Sequence, residues 1–528
     1  MATSGARGSL QLVLVLALGL LLHLGLLATG FERVSNDEAA RVLLSLELTP
    51  ANALEPFVWP PLHRLLIGTA LHLHPDPVWV PRIVSIALAL GTLVAVLRLA
   101  RRVSDDPWVL AAAAGLALVT PYRLVLGSVP MADILMLLLV VLAAERVLAW
   151  LQGARTSALL AGCALLGLAT AVRYEAWFVV ATLGLLLAWR WLRGGRVSLP
   201  VLAGCGVLLC WFPVFWIANS LLWYGSLANL AVTSEQFRAI AGADAGRAAL
   251  LLNPMGLPLW QELFWNPATL PGLVMLGLLA RHDAALRGYA LGFLAAFPLM
   301  SLVMFLTGSI ALAATWRLVG IWSLLVLPFG ALALVRLAGR VAAWLSAPRR
   351  ALVALALVPA LALPAIRDLR LARFGMYNWE TESWRHDTQA GRAAVAELGR
   401  LGGGRVVVDS LGNLDFLEVM VGSGMPEVFV TSADAPAPEV ALYVPMGRHL
   451  REVGDAALVE RYLADRFGLQ EGGEPEALRA RDIRVAVVRD PAAKAALDAS
   501  PRAERVQAWP DWTVYRLRPA TVLSGDAR

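Results

Sequence analysis

Apolar stretches, most of them near the ~20 residues that cross a bilayer, alternate with short polar connectors from Leu10 to Ile366. The pattern predicts about eleven membrane-spanning helices, at roughly 10–28, 78–100, 108–126, 131–150, 156–171, 175–193, 199–223, 269–280, 285–307, 310–335 and 350–366. Two of these, 156–171 and 269–280, are short, which predicts a tilted or re-entrant course. From Arg367 the pattern changes: apolar runs shrink to strand length, charges become frequent, and Gly and Pro punctuate the chain. A helix is predicted over 387–400, stopped by Gly402, Gly403 and Gly404. Strand-like runs follow at 405–409, 427–431, 440–444, 483–488 and 512–517, with helical patterns near 413–422 and 455–467. Such alternation predicts a small α/β domain of about 130 residues, enough for its own core. The expected fold class is therefore an α-helical polytopic membrane protein with a small C-terminal α/β domain. Residues 1–366 form its transmembrane domain and 367–528 its C-terminal domain.

Composition agrees. The 528 residues are 58% hydrophobic and only 16% charged, with mean hydropathy +0.65, whereas soluble chains carry about 25% charged residues. A net charge of +6 and a pI of 9.6 could suggest nucleic acid, but the placement of the arginines argues against it. In the membrane half they gather in alternate loops: Arg101 and Arg102; Arg146 and Arg155; Arg190, Arg193 and Arg196; Arg281 and Arg287; Arg336, Arg340, Arg349 and Arg350. This positive-inside pattern predicts a multi-pass plasma (inner) membrane protein with a cytoplasmic N-terminus. The first loop, 30–77, then faces outward, and an odd number of spans makes the C-terminal domain extracytoplasmic. Ala28-Thr29-Gly30 behind the first span resembles a cleavage site. An apolar run of about 19 residues favours an uncleaved anchor.

The three cysteines, Cys163, Cys205 and Cys210, fall within predicted spans and show no metal-ligand spacing. No zinc site, disulfide framework, Walker loop, Gly-x-Gly-x-x-Gly or Gly-x-Ser-x-Gly is present, so no metal or cofactor is expected.

Chemistry is expected at the polar islands on the outward side. Ser35-Asn36-Asp37-Glu38-Ala39-Ala40-Arg41 opens the first loop. Ser35 and Glu38 fit a capping box, and acids in a first turn suit the helix dipole. Asp37 is not needed for the box, and Asp37, Arg41 and Ser45 line one stripe at i, i+4, i+8. Trp59-Pro60-Pro61-Leu62-His63-Arg64 follows, its prolines fixing the entry to a helix. Asp133 opens a span at its outer end, Arg173-Tyr174-Glu175-Ala176-Trp177 sits between two apolar segments, and Thr315-Trp316-Arg317 opens a late span. Helix entry, interfacial aromatic anchoring and snorkelling are sufficient structural accounts of these patches. Phosphate recognition by the guanidinium fork is the alternative for Arg317.

In order and common sidedness, these patches resemble the GT-C superfamily of membrane glycosyltransferases that use polyprenyl-phosphate sugars, with its protein mannosyltransferase and aminoarabinose transferase branches. The resemblance implies an inverting glycosyltransferase moving a sugar from a polyprenyl-phosphate donor to a lipid, glycan or protein acceptor on the outer face. By that likeness Asp37, in Asp37-Glu38-Ala39, is the general base and Glu38 its neighbour. His63 after the Pro-Pro-Leu element, Asp133, Arg173, Tyr174 and Glu175 are sugar- or acceptor-site candidates. Arg317 is the lipid-phosphate ligand, although Leu318 stands where the family usually has Tyr. Oligosaccharyltransferases of the same superfamily carry Trp-Trp-Asp-Tyr-Gly. The nearest segment here, Asp511-Trp512-Thr513-Val514-Tyr515, reads as strand. A lipid-linked sugar flippase or other membrane transporter is the alternative from a different class. Transporters tend to show repeat symmetry and polar sites near the membrane midplane, whereas the ionisable residues here gather near one face.

Overall fold

The computed structural model describes residues 2–31, 34, 37–56, 59–194, 197–225, 227, 266, 268–306, 320–344, 348, 384–409, 415–431, 483–500 and 503–518. Among the described residues fourteen helices precede the C-terminal domain: α1 (Ala2–Ala28), α2 (Asp37–Leu46), α3 (Leu62–Leu73), α4 (Trp79–Val103), α5 (Pro107–Val119), α6 (Pro121–Leu124), α7 (Ala132–Leu151), α8 (Thr156–Thr170), α9 (Glu175–Leu192), α10 (Leu199–Tyr224), α11 (Thr269–Ala280), α12 (Ala284–Tyr289), α13 (Ala296–Leu306) and α14 (Gly320–Trp344). Among the described residues seven helical stretches are long and apolar enough to span a membrane, and α5, α8 and α11 are shorter apolar helices. The expected span at 350–366 lies outside the described residues, as does the beginning of the one expected over 310–335. The count of eleven is thus not reached among the described residues.

The chain forms two compact units. The first comprises Met1–Phe31, Thr49–Leu66 and Arg82–Arg373. Within it α7 and α14 are the most buried spans, with α7 packed on α8, and α14 on α5 and α11. The run expected as one span over 108–126 instead ends at Val119 and turns into α6 at Pro121. Pro121 forces Thr120 out of helical geometry, and Arg123 secures the break. Its fork reaches back to the C-terminal carbonyls of α5, with Nε to Ala117 O at 2.7 Å and one Nη to Leu118 O at 2.7 Å. The other Nη lies 3.1 Å from His23 Nε2 on α1, and His23 Nδ1 is 2.8 Å from Ser128 Oγ. Fully buried carbonyls at a helix end need such donors.

Between α12 and α13 the helix widens into a π segment at Ala290–Leu294, and Thr182 Oγ1 of α9 donates to the Gly292 carbonyl at 2.8 Å. A foreign side chain thereby satisfies a carbonyl within the distorted stretch. Close helix contact depends on glycine. A Cβ at Gly167 of α8 would lie 2.1 Å from the Leu208 carbonyl of α10 and 2.7 Å from Trp211 Nε1. Small residues permit such approach in membranes. Gly167→Ala is expected to destabilise the protein by roughly 1–3 kcal/mol, read as a lower unfolding midpoint in detergent. An unchanged midpoint would show that α8 and α10 separate freely.

The second unit comprises Glu32–Leu48, Ile67–Pro81 and Phe374–Arg528. Its C-terminal part contains α15 (Trp384–Arg400), β1 (Arg405–Val408), α16 (Phe416–Gly422), β2 (Phe429–Thr431), β3 (Ile483–Val488), α17 (Pro491–Ala499), β4 (Ala503–Ala508) and β5 (Thr513–Leu517). Gly402, Gly403 and Gly404 all take positive φ, from 75° to 116°, which lets α15 stop and β1 begin within four residues. The sheet order is β2-β1-β3-β5-β4. β1 runs parallel to β2 and β3, and β5 antiparallel to β3 and β4. Val407, Ala486, Val488, Ala493, Leu497 and Tyr515 form a core between the sheet and α17. The expected strand at 440–444 and helix at 455–467 lie outside the described residues. α2 packs on α16, and a Cβ at Gly68 of α3 would lie 2.5 Å from Leu48 Cδ2, just beyond the end of α2.

Glu397 of α15 is buried against Arg516 of β5, with Arg516 Nε at 2.5 Å, and Arg400 Nη1 lies at 3.0 Å. The hydrogen bond from Arg516, followed by that from Arg400, holds the Glu397 carboxyl below its ordinary value of 4.5 despite burial. A carboxylate depressed on folding stabilises fully above the unfolded value, and that contribution is lost as pH falls through the folded one. Amide exchange in α15 and β5, corrected for intrinsic rates, should therefore accelerate on acidification below about pH 4.5. Glu397→Gln should flatten the profile, and an equally steep profile in that variant would assign the acid lability to other groups.

Candidate active site

In the first unit the structure brings three of the sequence patches together. The turn between α8 and α9 projects Arg173, whose Nη1 donates to Asp133 Oδ2 at 2.7 Å. The other edge of the same guanidinium grips Glu175, with Nε 3.0 Å from Oε2 and Nη2 2.5 Å from Oε1. Asp133 sits in the first turn of α7, where the helix dipole favours its charge, and is 1% exposed. One fork thus ties the start of α7 to the start of α9, in the bidentate geometry that guanidinium matches to carboxylate.

Tyr174 stands between the pair. Its hydroxyl accepts from Trp216 Nε1 of α10 at 3.0 Å, and its ring meets Trp177 edge-on at 5.4 Å. Burial pushes the phenol up from its ordinary value, so Tyr174 stays neutral. Ala171, Phe212 and Trp216 form a buried cluster, and Leu62, Tyr174 and Trp177 pack against it.

The Pro-Pro-Leu element docks here. Pro60 and Pro61 carry no N–H, so Leu62 supplies the first free donor of the element. That N–H bonds to the Ala171 carbonyl at 2.9 Å, two residues before Arg173. His63 is then fully buried in the first turn of α3, and Arg64 Nη1 donates to the Asn52 carbonyl at 3.1 Å. Trp216 was not among the expected site residues, and one turn further on α10 the Asn219 amide donates to Leu54 O at 2.6 Å. Nothing distinguishes Trp216 in sequence from the other tryptophans of the 19 present.

Asp37 and Glu38 belong to the second unit. The helix begins at Asp37, and Glu38 Oε1 accepts the Val34 N–H at 2.6 Å. This return bond resembles the one a capping box requires but reaches one residue earlier than Ser35. Ser35 and Asn36 lie outside the described residues. Along the expected stripe Arg41 and Ser45 are buried, Asp37 is half-buried, and Ser45 Oγ donates back to the Arg41 carbonyl at 2.6 Å. The stripe is turned into protein, not out to water. Arg317 lies outside the described residues. Trp512, in the segment compared with Trp-Trp-Asp-Tyr-Gly, is fully buried with Nε1 2.5 Å from Asp387 Oδ1, immediately before β5. Among the described residues no three His, Cys, Asp or Glu side chains cluster to hold a metal ion.

A multi-spanning helical frame thus carries an Arg-bridged acid pair and a docked Pro-Pro-Leu element. Residues 58–217 match the family model described as dolichyl-phosphate-mannose-protein mannosyltransferase. That segment holds the Pro-Pro-Leu element, Asp133, Arg173 and Trp216. The fold is shared with ArnT from Cupriavidus metallidurans bound to undecaprenyl phosphate, at 15% identity and TM-score 0.59, covering 96% of this chain and 97% of that one. Against the apo state of ArnT the values are 15% identity and TM-score 0.53, with 98% of each chain covered. A looser likeness, TM-score 0.48 at 12% identity, is to the archaeal oligosaccharyltransferase AglB from Archaeoglobus fulgidus, covering 90% of this chain and 69% of that one. No curated protein matches the chain by sequence. The flippase reading is not favoured.

Proposed function

We propose that the chain is an inverting glycosyltransferase that moves one sugar from a polyprenyl-phosphate donor to an acceptor at the outer membrane face. The supporting observation is the docked cluster of Leu62, Asp133, Arg173, Tyr174 and Glu175 on a fold shared with ArnT, a protein crystallised with undecaprenyl phosphate. In this reading Asp37 aligns the acceptor hydroxyl and takes its proton as the oxygen attacks the anomeric carbon. Arg317 neutralises the departing lipid phosphate, for which a guanidinium fork is the matching partner. Glu38 and His63 are further candidates for contact with the sugar or the acceptor. Asp133, Arg173, Tyr174 and Glu175 hold the sugar or the acceptor, where fixed carboxylate and phenol groups meet hydroxyls. The N-terminus lies in the cytoplasm and residues 367–528 outside. No nucleotide takes part.

The test is transfer of radiolabelled sugar from extracted polyprenyl-phosphate donors into membrane acceptors by the purified wild type. Transfer with release of lipid phosphate is the expected result. Donor movement between leaflets without glycosidic bond formation would overturn the reading in favour of a transporter.

A further inference from the structure

At the opposite end of α7 from Asp133, roughly 18 Å along the helix at 1.5 Å per residue, Glu145 is a buried carboxylate shared by three arginines. Arg102 Nε lies 2.9 Å from Oε1, Arg98 Nη2 3.2 Å from Oε2, and Arg146 Nε 3.4 Å from Oε2. Three positive charges meet one negative charge, so the cluster carries an excess of cation. The carboxylate is 2% exposed, whereas the arginine side chains are 38–40% exposed. Arg102 and Arg146 meet Glu145 through Nε, and each side chain remains about two-fifths exposed.

The platform is fixed as well as charged. Gln152 Nε2 donates to the Arg102 carbonyl at 2.9 Å and so ties the end of α4 to the end of α7. Nearby, the Arg190 guanidinium stands 5.6 Å from the centre of the Trp150 ring, and that of Arg193 5.3 Å from Trp189. Leu185, Trp189 and Leu192 of α9 present exposed apolar surface at this same end. Guanidinium forks held together beside exposed apolar helix faces match a molecule with a phosphate head and hydrocarbon chains. A free phosphate would use the forks alone and leave the apolar faces uncovered.

We infer that the joined ends of α4 and α7 form a binding site for an anionic phospholipid, with its phosphate on Arg98, Arg102 and Arg146 and Glu145 as the organiser of the three. The site is separate from the Asp133–Arg173–Glu175 cluster and independent of the proposed transfer chemistry. A lipid held here would join the two helices to the leaflet they end in.

The experiment is native mass spectrometry of the full chain in neutral detergent, with equimolar phosphatidylglycerol and phosphatidylethanolamine added. The wild type should retain phosphatidylglycerol in preference, and added salt should weaken that preference. Arg98→Gln with Arg102→Gln should reduce it about thirtyfold, at about fivefold per arginine near the surface. Arg146→Gln, a milder single change, should reduce it about fivefold and serves where the double variant does not fold. Inorganic phosphate in tenfold excess should not displace the lipid. Equal retention of the two lipids, or a preference unaltered in the folded variants, overturns the inference. Displacement by inorganic phosphate would reassign the cluster to a free anion.

Discussion

Asp37→Asn is expected to abolish most sugar transfer while leaving the protein folded. Asparagine keeps the size of the side chain and the start of α2, and the return bond from Glu38 to Val34 is untouched. What disappears is the proton acceptor, and loss of general-base catalysis alone lowers a rate roughly 10²–10⁴-fold. Asn retains a carbonyl oxygen that can still orient a hydroxyl, so apparent acceptor affinity should change less than turnover. The measurement is turnover against acceptor concentration, with the unfolding midpoint as control. A folded Asp37→Asn protein that transfers sugar at the wild-type rate would falsify the base assignment. Asp37 would then be only a first-turn acid stabilising its helix.

Removing the guanidinium at position 173 is expected to cost stability as well as activity. In Arg173→Leu both Asp133 and Glu175 lose the cation between them, and Asp133 is almost completely enclosed. Breaking a buried pair by deleting one partner costs about 3–5 kcal/mol, because a charge is left uncompensated in a low-dielectric setting. Arg173→Lys restores the charge but cannot grip Glu175 at two points while reaching Asp133, so it should recover part of the stability and little of the transfer. Thermal unfolding and transfer measured side by side separate the two. Wild-type stability in Arg173→Leu would mean that water or a neighbouring group already compensates the two acids.

The membrane helices were legible because lipid imposes one strong requirement, an apolar run of bilayer length. Legibility failed where a charge is satisfied internally. Arg123 sits in an otherwise apolar run and so was absorbed into a span. The one sequence signal against that is Pro121, which ends the helix so that Arg123 can turn back onto the carbonyls of α5. In the C-terminal domain the Val-rich central strands β1 and β3 were readable, since burial selects β-branched residues. β4, an edge strand reading Ala-Glu-Arg-Val-Gln-Ala, is mostly half-buried or exposed and shows little such signature. The helix α17, opened by Asp490 and Pro491, was likewise not anticipated.

The candidate site was legible in part. Asp133, Arg173, Tyr174 and Glu175 could be nominated because charges between apolar segments are conspicuous. Their mutual bonds could not, because Arg173 and Asp133 are 40 positions apart in the chain. Leu62 and Ala171 likewise meet through a backbone bond that no side-chain pattern encodes.

The helix bearing Asp37 packs on α16 and belongs with the C-terminal α/β domain rather than with the spans on either side of it in sequence. For protein engineering this sets where the chain can be cut and rejoined. A hybrid that exchanges only the tail from residue 374 onward would leave α2 facing a foreign surface, and its failure could be misread as incompatibility with the acceptor. The transplantable module is discontinuous, with residues 32–48 and 67–81 travelling together with the tail.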